Sequence, residues 1–275
     1  MRATENHPRL SAEEVDQYND QGYYIFPEAV FPDEKFRDLK AHFEAKLAEW
    51  PSDQRPEGMD VPHFTDPKLF EWLLADEVLD IVEPILGPDI ALFSSHFICK
   101  PKGDGRKVPW HEDSAYWRKM LDPMEVVTLW LAIDPSLEEN GCMKVIPYTH
   151  RMGSKGFSDY DPVDTNLNVF PSEITRKQRD ESKAVSCILE ANHASLHNGR
   201  LMHGSEANRS DLRRCGYTMR FVRSSTVLSD KACEYHQMYM ARGKDLSGKP
   251  EQYGDSGVSY EDLLGHRLKI GKKGH

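Results

Sequence analysis

The feature that most constrains this chain is a change of hydrophobic period at Gly87-Pro88. Before that point apolar residues recur every three or four positions, the spacing of an amphipathic helix. Phe36, Leu39, Phe43 and Leu47 predict a helix over residues 32–50. Leu69, Phe70, Leu73, Leu74, Leu79, Val82 and Ile85 predict a second over 67–86, with Gly87-Pro88 as its stop. A shorter helix is expected over 11–18, where Ser11 and Glu14 have capping-box spacing. Gly22 ends it, and Tyr23-Tyr24-Ile25-Phe26 reads as a strand. After Pro88 the pattern becomes a succession of short β runs at 90–99, 108–113, 126–133, 142–146, 184–189, 194–197, 200–203 and 216–222. Asn198-Gly199 between two of them predicts a tight hairpin turn. Residues 245–255 are polar and Gly-rich, which predicts a loop, followed by a short helix near 260–264. Helices first and many short strands afterwards predict a mainly β barrel or sandwich with flanking helices.

Length is compatible with one domain, since β barrels and sandwiches reach 275 residues as single units. The expected organisation is a mostly helical buttress over 1–88, a β core over 89–228 and a C-terminal extension over 229–275. The formal net charge of -10 argues against a nucleic-acid partner, which would select a basic face. The five cysteines, Cys99, Cys142, Cys187, Cys215 and Cys233, form no CxxC pair and read as free thiols of a reducing compartment. No apolar run is long enough to cross a membrane. The segment MRATENHPRLSAEEV lacks the charged start and apolar stretch of a signal peptide, so a cytoplasmic location is expected.

Chemistry concentrates in Val108-Pro109-Trp110-His111-Glu112-Asp113. In an extended strand, positions i and i+2 share a face. His111 and Asp113 would then present an imidazole and a carboxylate to one point, with Glu112 turned away. An HxD triplet alone is weak evidence in a chain with 12 histidines. A third ligand from a distant strand would complete two His and one carboxylate, the set of non-haem Fe(II) oxygenases. His203, in Leu201-Met202-His203-Gly204-Ser205, can supply it; His197 on a neighbouring run is its rival. Arg214 opens the next run and could grip a carboxylate with two parallel hydrogen bonds. Arg213 would point to the opposite face, and Arg220 shares the face of Arg214.

The chain resembles the phytanoyl-CoA dioxygenase family of Fe(II)- and 2-oxoglutarate-dependent oxygenases. The resemblance rests on His111-Glu112-Asp113, on residues 139–151 (ENGCMKVIPYTHR), and on His203-Gly204-Ser205 followed by Asn208, Ser210 and Arg214. The Gly22-Tyr23 entry into the first strand is similar to the family's start. The likeness implies a double-stranded β-helix, a cupin-like jelly roll. It implies His111, Asp113 and His203 as metal ligands, Arg214 as the anchor of 2-oxoglutarate, and Ser205 as a contact of the same distal carboxylate. The implied reaction uses Fe(II), 2-oxoglutarate and O2 to hydroxylate an unactivated C–H of a small-molecule substrate, with release of succinate and CO2. Asp113 stands where related halogenases carry a small residue, which favours hydroxylation.

Thr128 and Trp130 alternate with Val127, Leu129 and Leu131, so their face is expected to line the barrel beside the co-substrate. Trp117, just past the HxD segment, is a candidate border of the substrate site. His96 and Lys100 share a predicted strand and could face the pocket. The long connection over 153–170 has the length of an active-site lid. Two other classes fit the same barrel: a non-redox cupin-like metal enzyme, since His and Asp also bind Zn(II), and a catalytically silent small-molecule-binding protein.

Overall fold

The computed structural model describes residues 9–155 and 158–261, together with 263 and 265. Ser11 caps α1 (Ala12–Gln21): its side chain accepts from the Glu14 N–H, and Glu14 accepts from the Ser11 N–H. Gly22 closes the helix at φ 83°, a left-handed conformation that glycine adopts without a Cβ clash. A Cβ there would also lie 2.3 Å from the His150 ring. α2 spans Asp33–Ala48 and buries Leu39 and Phe43. The predicted helix over 67–86 is broken into a 3-10 turn, a four-residue α3 (Phe70–Leu73) and α4 (Asp76–Leu86). Ala75 is extended (φ −70°, ψ 141°), which lets α4 turn its apolar side, Val78, Leu79, Ile81 and Val82, inward.

The strands are, in chain order, β1 (Tyr23–Phe26), β2 (Met59–Asp60), β3 (Ile90–Lys100), β4 (Val108–His111), β5 (Leu121–Asp122), β6 (Val127–Ala132) and β7 (Lys144–Val145). They continue as β8 (Tyr160–Pro162), β9 (Ser172–Ile174), β10 (Val185–Ser186), β11 (Ala194–Asn198), β12 (His203–Ser205), β13 (Arg214–Arg223), β14 (Val227–Leu228) and β15 (Tyr239–Arg242). A seven-stranded antiparallel sheet runs β1-β11-β6-β13-β3-β15, with β2 also on β3. A four-stranded sheet runs β10-β7-β12-β4. From β3 onward the chain passes back and forth between the two, which makes the double-stranded β-helix. Residues outside 89–228 contribute to the large sheet: β1 and β2 before the core segment, β15 after it. α2 and α4 cover its outer face. Leu39, Phe43, Val78, Leu79 and Val82 join Val127, Leu129, Leu131, Tyr217, Met219 and Phe221 in one buried cluster. Each such side chain contributes about 1.5–3 kcal/mol by leaving water. No described helix is long and apolar enough to cross a membrane.

Two local expectations are corrected. Asn198-Gly199 does not join paired strands. β11 belongs to the large sheet and β12 to the small one, and Gly199 does not take the positive φ a two-residue hairpin turn requires. Instead the Asn198 side chain accepts from Arg200 N–H (2.9 Å) and its carbonyl from Leu201 N–H (2.9 Å), folding a corner that carries the chain across. The strand expected over 108–113 stops at His111, and Asp113 has helical φ −57° and ψ −37° at the start of α5 (Ser114–Trp117). The helix expected near 260–264 falls partly outside the described residues, as do residues 156–157 of the 153–170 connection.

Candidate metal centre and its cavity

The three predicted ligands converge, although not for the reason the spacing suggested. His111 ends β4 and His203 opens β12, and the two are direct cross-strand partners. Their rings lie 4.1 Å apart. The carbonyl of Thr149's neighbour, Ile146, accepts from the Thr149 hydroxyl (2.7 Å), and that hydroxyl accepts from Met202 N–H (3.0 Å). The motif around residues 139–151 thus pins the residue before His203. Asp113 arrives by the turn after β4, not by strand alternation. Its Oδ1 is 3.6 Å from His111 Nε2 and 3.9 Å from His203 Nε2. Ligand atoms of His111, Asp113 and His203 all lie within 4.8 Å of one another, and all three residues are buried. Among the described residues no other group of three His, Cys, Asp or Glu meets this spacing.

The donor set fits a metal ion. His111 Nδ1 faces the Pro109 carbonyl at 2.8 Å, and His203 Nδ1 faces the Leu201 carbonyl at 2.9 Å. A carbonyl only accepts, so both Nδ1 atoms carry hydrogen, and the Nε2 atoms are the ring nitrogens turned toward Asp113. Burial, followed by the neighbouring His111 and His197, holds His203 well below its usual pKa and keeps it neutral. Burial pushes the Asp113 carboxyl up, but the Arg220 guanidinium and the nearby His111, His197 and His203 rings outweigh it and leave it well below the carboxylate range. Two imidazoles and one carboxylate gathered in a buried site are a donor set that suits a divalent metal ion.

The centre opens on a cavity of about 560 Å³, counting its open mouth. Both sheets line it: His96, Ile98, Trp130, His197, Arg214, Thr218 and Arg220 from one; Val108, His111, His203 and Ser205 from the other. Arg214 also lines the cavity and is 2% exposed. Its Nη2 donates to Ser205 Oγ at 3.3 Å, its guanidinium lies 5.3 Å over the Trp130 ring, and its Nε has no partner. Burial lowers its pKa to about 10. Among the described residues no carboxylate pairs with it. A buried cation with an orphaned donor is costly unless an anion completes it. Arg214 opens β13, which lies in the sheet opposite the one that carries His203. It faces Ser205 across the barrel, a placement suited to gripping a molecule held between the sheets. Asn208 sets the approach to β13, donating to the Leu212 (2.7 Å) and Pro101 (2.9 Å) carbonyls and accepting from Ser210 N–H (3.0 Å).

The remaining predicted residues separate. Trp130 lines the cavity, seated on Gly216, where a Cβ would lie 2.0 Å from its ring. Thr128 is fully buried between His197 and Arg220 in register, with no partner for its hydroxyl, and is not among the cavity-lining residues. Trp117 does not line the cavity either; it packs on Phe93 and stands 5.1 Å from the Arg220 guanidinium. Arg213 turns outward to Glu44 and Asp134. His96 lines the cavity, and Lys100 is buried with its ammonium on the Ser205 and Glu206 carbonyls. Glu112 does point away, accepting from Ser158 N–H at 2.7 Å. From the 153–170 connection, Val169 and Phe170 reach the cavity, and the Phe170 ring lies 5.0 Å from His111. Sequence reasoning missed Glu57, a buried cavity residue held by Arg55 and Arg106. It lies in a three-residue 3-10 helix, Pro56–Gly58, too short for periodicity to mark a face.

Comparison with known proteins places this architecture. The family model described as Phytanoyl-CoA dioxygenase (PhyH) matches residues 8–216. A phytanoyl-CoA dioxygenase domain-containing protein 1 homolog of Caenorhabditis elegans is 30% identical over 173 residues, 62% of this chain and 59% of that protein. The peroxisomal phytanoyl-CoA dioxygenase of Bos taurus is 25% identical over 210 residues, 75% of this chain and 61% of that protein. The chain therefore spans less than two thirds of the length of either relative. Among solved structures, the apo form of the non-haem monooxygenase ThoJ superposes with a TM-score of 0.72 at 19% identity, covering 93% of this chain and 96% of that one. The shared jelly roll agrees with the motifs, and the family match extends over most of the sequence. The chain belongs to the phytanoyl-CoA dioxygenase family of Fe(II)- and 2-oxoglutarate-dependent oxygenases.

Proposed function

We propose that this protein hydroxylates an unactivated C–H of a small molecule, using Fe(II), 2-oxoglutarate and O2 and releasing succinate and CO2. The carrying observation is that one cavity is lined both by a buried His-Asp-His cluster and by a buried Arg214 whose Nε has no partner. His111, Asp113 and His203 would hold the iron, and Arg214 with Ser205 would hold the far carboxylate of 2-oxoglutarate. Bound there, the metal and its 2-oxo acid supply oxygen activation, which no side chain provides. The chain's own contribution is placement. Arg214 fixes the co-substrate at one end. Trp130 packs beside the guanidinium. Ile98, Val108, Met143, Val169 and Phe170 make the walls apolar and limit water. Asp113 occupies the position that would otherwise be open to a halide, which supports hydroxylation over halogenation.

The apolar walls and the acidic chain support a small, largely uncharged substrate rather than a coenzyme A ester. The test has two stages. Anaerobic Fe(II) and 2-oxoglutarate should give a visible charge-transfer band that Asp113→Ala abolishes. A substrate library is then screened for succinate release above the uncoupled rate. Absence of the band, together with no uncoupled succinate, would leave a non-redox metal enzyme or a silent binding protein in its place.

A further inference from the structure

The two oxygens of Asp113 keep different company. Oδ1 faces the Nε2 atoms of His111 and His203. Oδ2 faces away from them, 3.5 Å from Arg220 Nε and 3.7 Å from His197 Nε2. These last two residues come from the opposite sheet. His197 on β11 and Arg220 on β13 both pair with Thr128 of β6, so three neighbouring strands deliver them side by side. Arg220 is itself fixed: its guanidinium stands 5.1 Å over the Trp117 ring and its Nη1 is 3.5 Å from Ser94 Oγ. Trp117 lies in the same short helix that begins after Asp113, so the turn carrying the carboxylate also carries the platform for its partner. His197 is 1% exposed and lines the cavity, and neither ring nitrogen has a hydrogen-bond partner. A structural core histidine would use at least one of them.

We propose that Arg220 and His197 are positioning residues that hold Asp113 Oδ2, so that the carboxylate offers the metal one oxygen and not two. The inference rests on the metal-centre reading above. Asp113 needs such a hold because it lies outside the strand ladder. A carboxylate free to turn can place both oxygens on one metal and fill a position that the 2-oxo acid or oxygen requires. Partners beyond the ligands commonly set ligand orientation in this way, and their loss lowers metal affinity by about 10–100-fold. His197 meets the carboxylate nearest Oδ2 and His203 nearest Oδ1, although the two rings lie 4.7 Å apart.

The test uses the full chain, made metal-free, with Co(II) as the probe. Calorimetry gives the dissociation constant, and the visible ligand-field band of bound Co(II) reports coordination number. Arg220→Gln should weaken Co(II) binding by about 10–100-fold and change the band intensity. Arg220→Lys should recover part of the affinity, and His197→Gln should move both readouts in the same direction as Arg220→Gln. Wild-type affinity in Arg220→Gln and His197→Gln would overturn the inference. So would weakened binding with an unchanged band, because Arg220 would then act only as a charge. If Arg220→Gln does not fold, Arg220→Lys and His197→Gln carry the same two readouts. Asp113→Ala separates the levels: wild-type Co(II) binding in that variant would refute the metal centre itself, whatever the other variants do.

Discussion

Replacing Arg214 with methionine should weaken 2-oxoglutarate binding while leaving the apoprotein at least as stable. Two magnitudes follow from its surroundings. Removing one partner of a desolvated, hydrogen-bonded charge pair costs about 2–5 kcal/mol of binding. The Ser205 hydroxyl, which Arg214 contacts at 3.3 Å, stays in the variant as a hydrogen-bond donor in the cavity wall. The lower part of the range, about 2–3 kcal/mol, is therefore expected, or about 30–150-fold in KM for 2-oxoglutarate. Stability moves the other way. Burial lowers the guanidinium to about 10, so keeping it charged costs the folded apoprotein about 3 kcal/mol. Methionine has similar length and no charge, and what is lost is the 3.3 Å hydrogen bond to Ser205 and the cation's contact with the Trp130 ring. Recovering even about 1 kcal/mol would raise the apoprotein Tm by about 2–4 °C. Uncoupled succinate formation measured against 2-oxoglutarate concentration gives KM, and differential scanning calorimetry gives Tm. A KM within threefold of wild type would refute the anchor role. A Tm lowered by more than about 4 °C would refute the claim that the apoprotein holds an uncompensated cation.

Three further outcomes are expected. Gly216→Ala places a Cβ 2.0 Å from the Trp130 ring and should destabilise by about 1–3 kcal/mol in urea unfolding, with a shift in tryptophan emission; an unchanged midpoint would show that Trp130 has room to move. Apoprotein stability should fall as pH drops below about 6.5, because His197 and His203 are held neutral by burial while the unfolded chain protonates them. Asp113 acts in a separate window: its carboxyl is held low in the fold, so its contribution is lost only as pH falls below about 4. Denaturant midpoints across pH should show a shallower slope above pH 5 in His197→Gln, and an unchanged slope would count against a neutral buried ring. Phe170→Ala removes the ring 5.0 Å from His111 and should raise uncoupled 2-oxoglutarate consumption without altering Co(II) affinity, measured on the same preparation.

How the site became legible differs from how it is built. α1 and α2 follow from capping chemistry and a four-residue apolar repeat, both local signals. The small sheet carries no such signal: β7 and β10 have two residues and β12 has three, too short for alternation to register. Its pairings join segments far apart in sequence, so the Asn198-Gly199 corner resembled a hairpin when it is a crossing between sheets. The HxD pair was found by an argument that fails here, since Asp113 is helical and not extended. It was found nonetheless because the chemistry needs two imidazoles and a carboxylate, and residue type survives an error in backbone geometry. Residue type could not reveal what holds the carboxylate. His197 and Arg220 are visible in the sequence as a spare histidine and a spare arginine, with nothing there to link either to Asp113. Their common partner emerges only when β11, β6 and β13 lie side by side, because register alone brings positions 197, 128 and 220 into one row. The ligands of such a centre are therefore readable from composition and motif, whereas the residues that aim them are readable only from strand order.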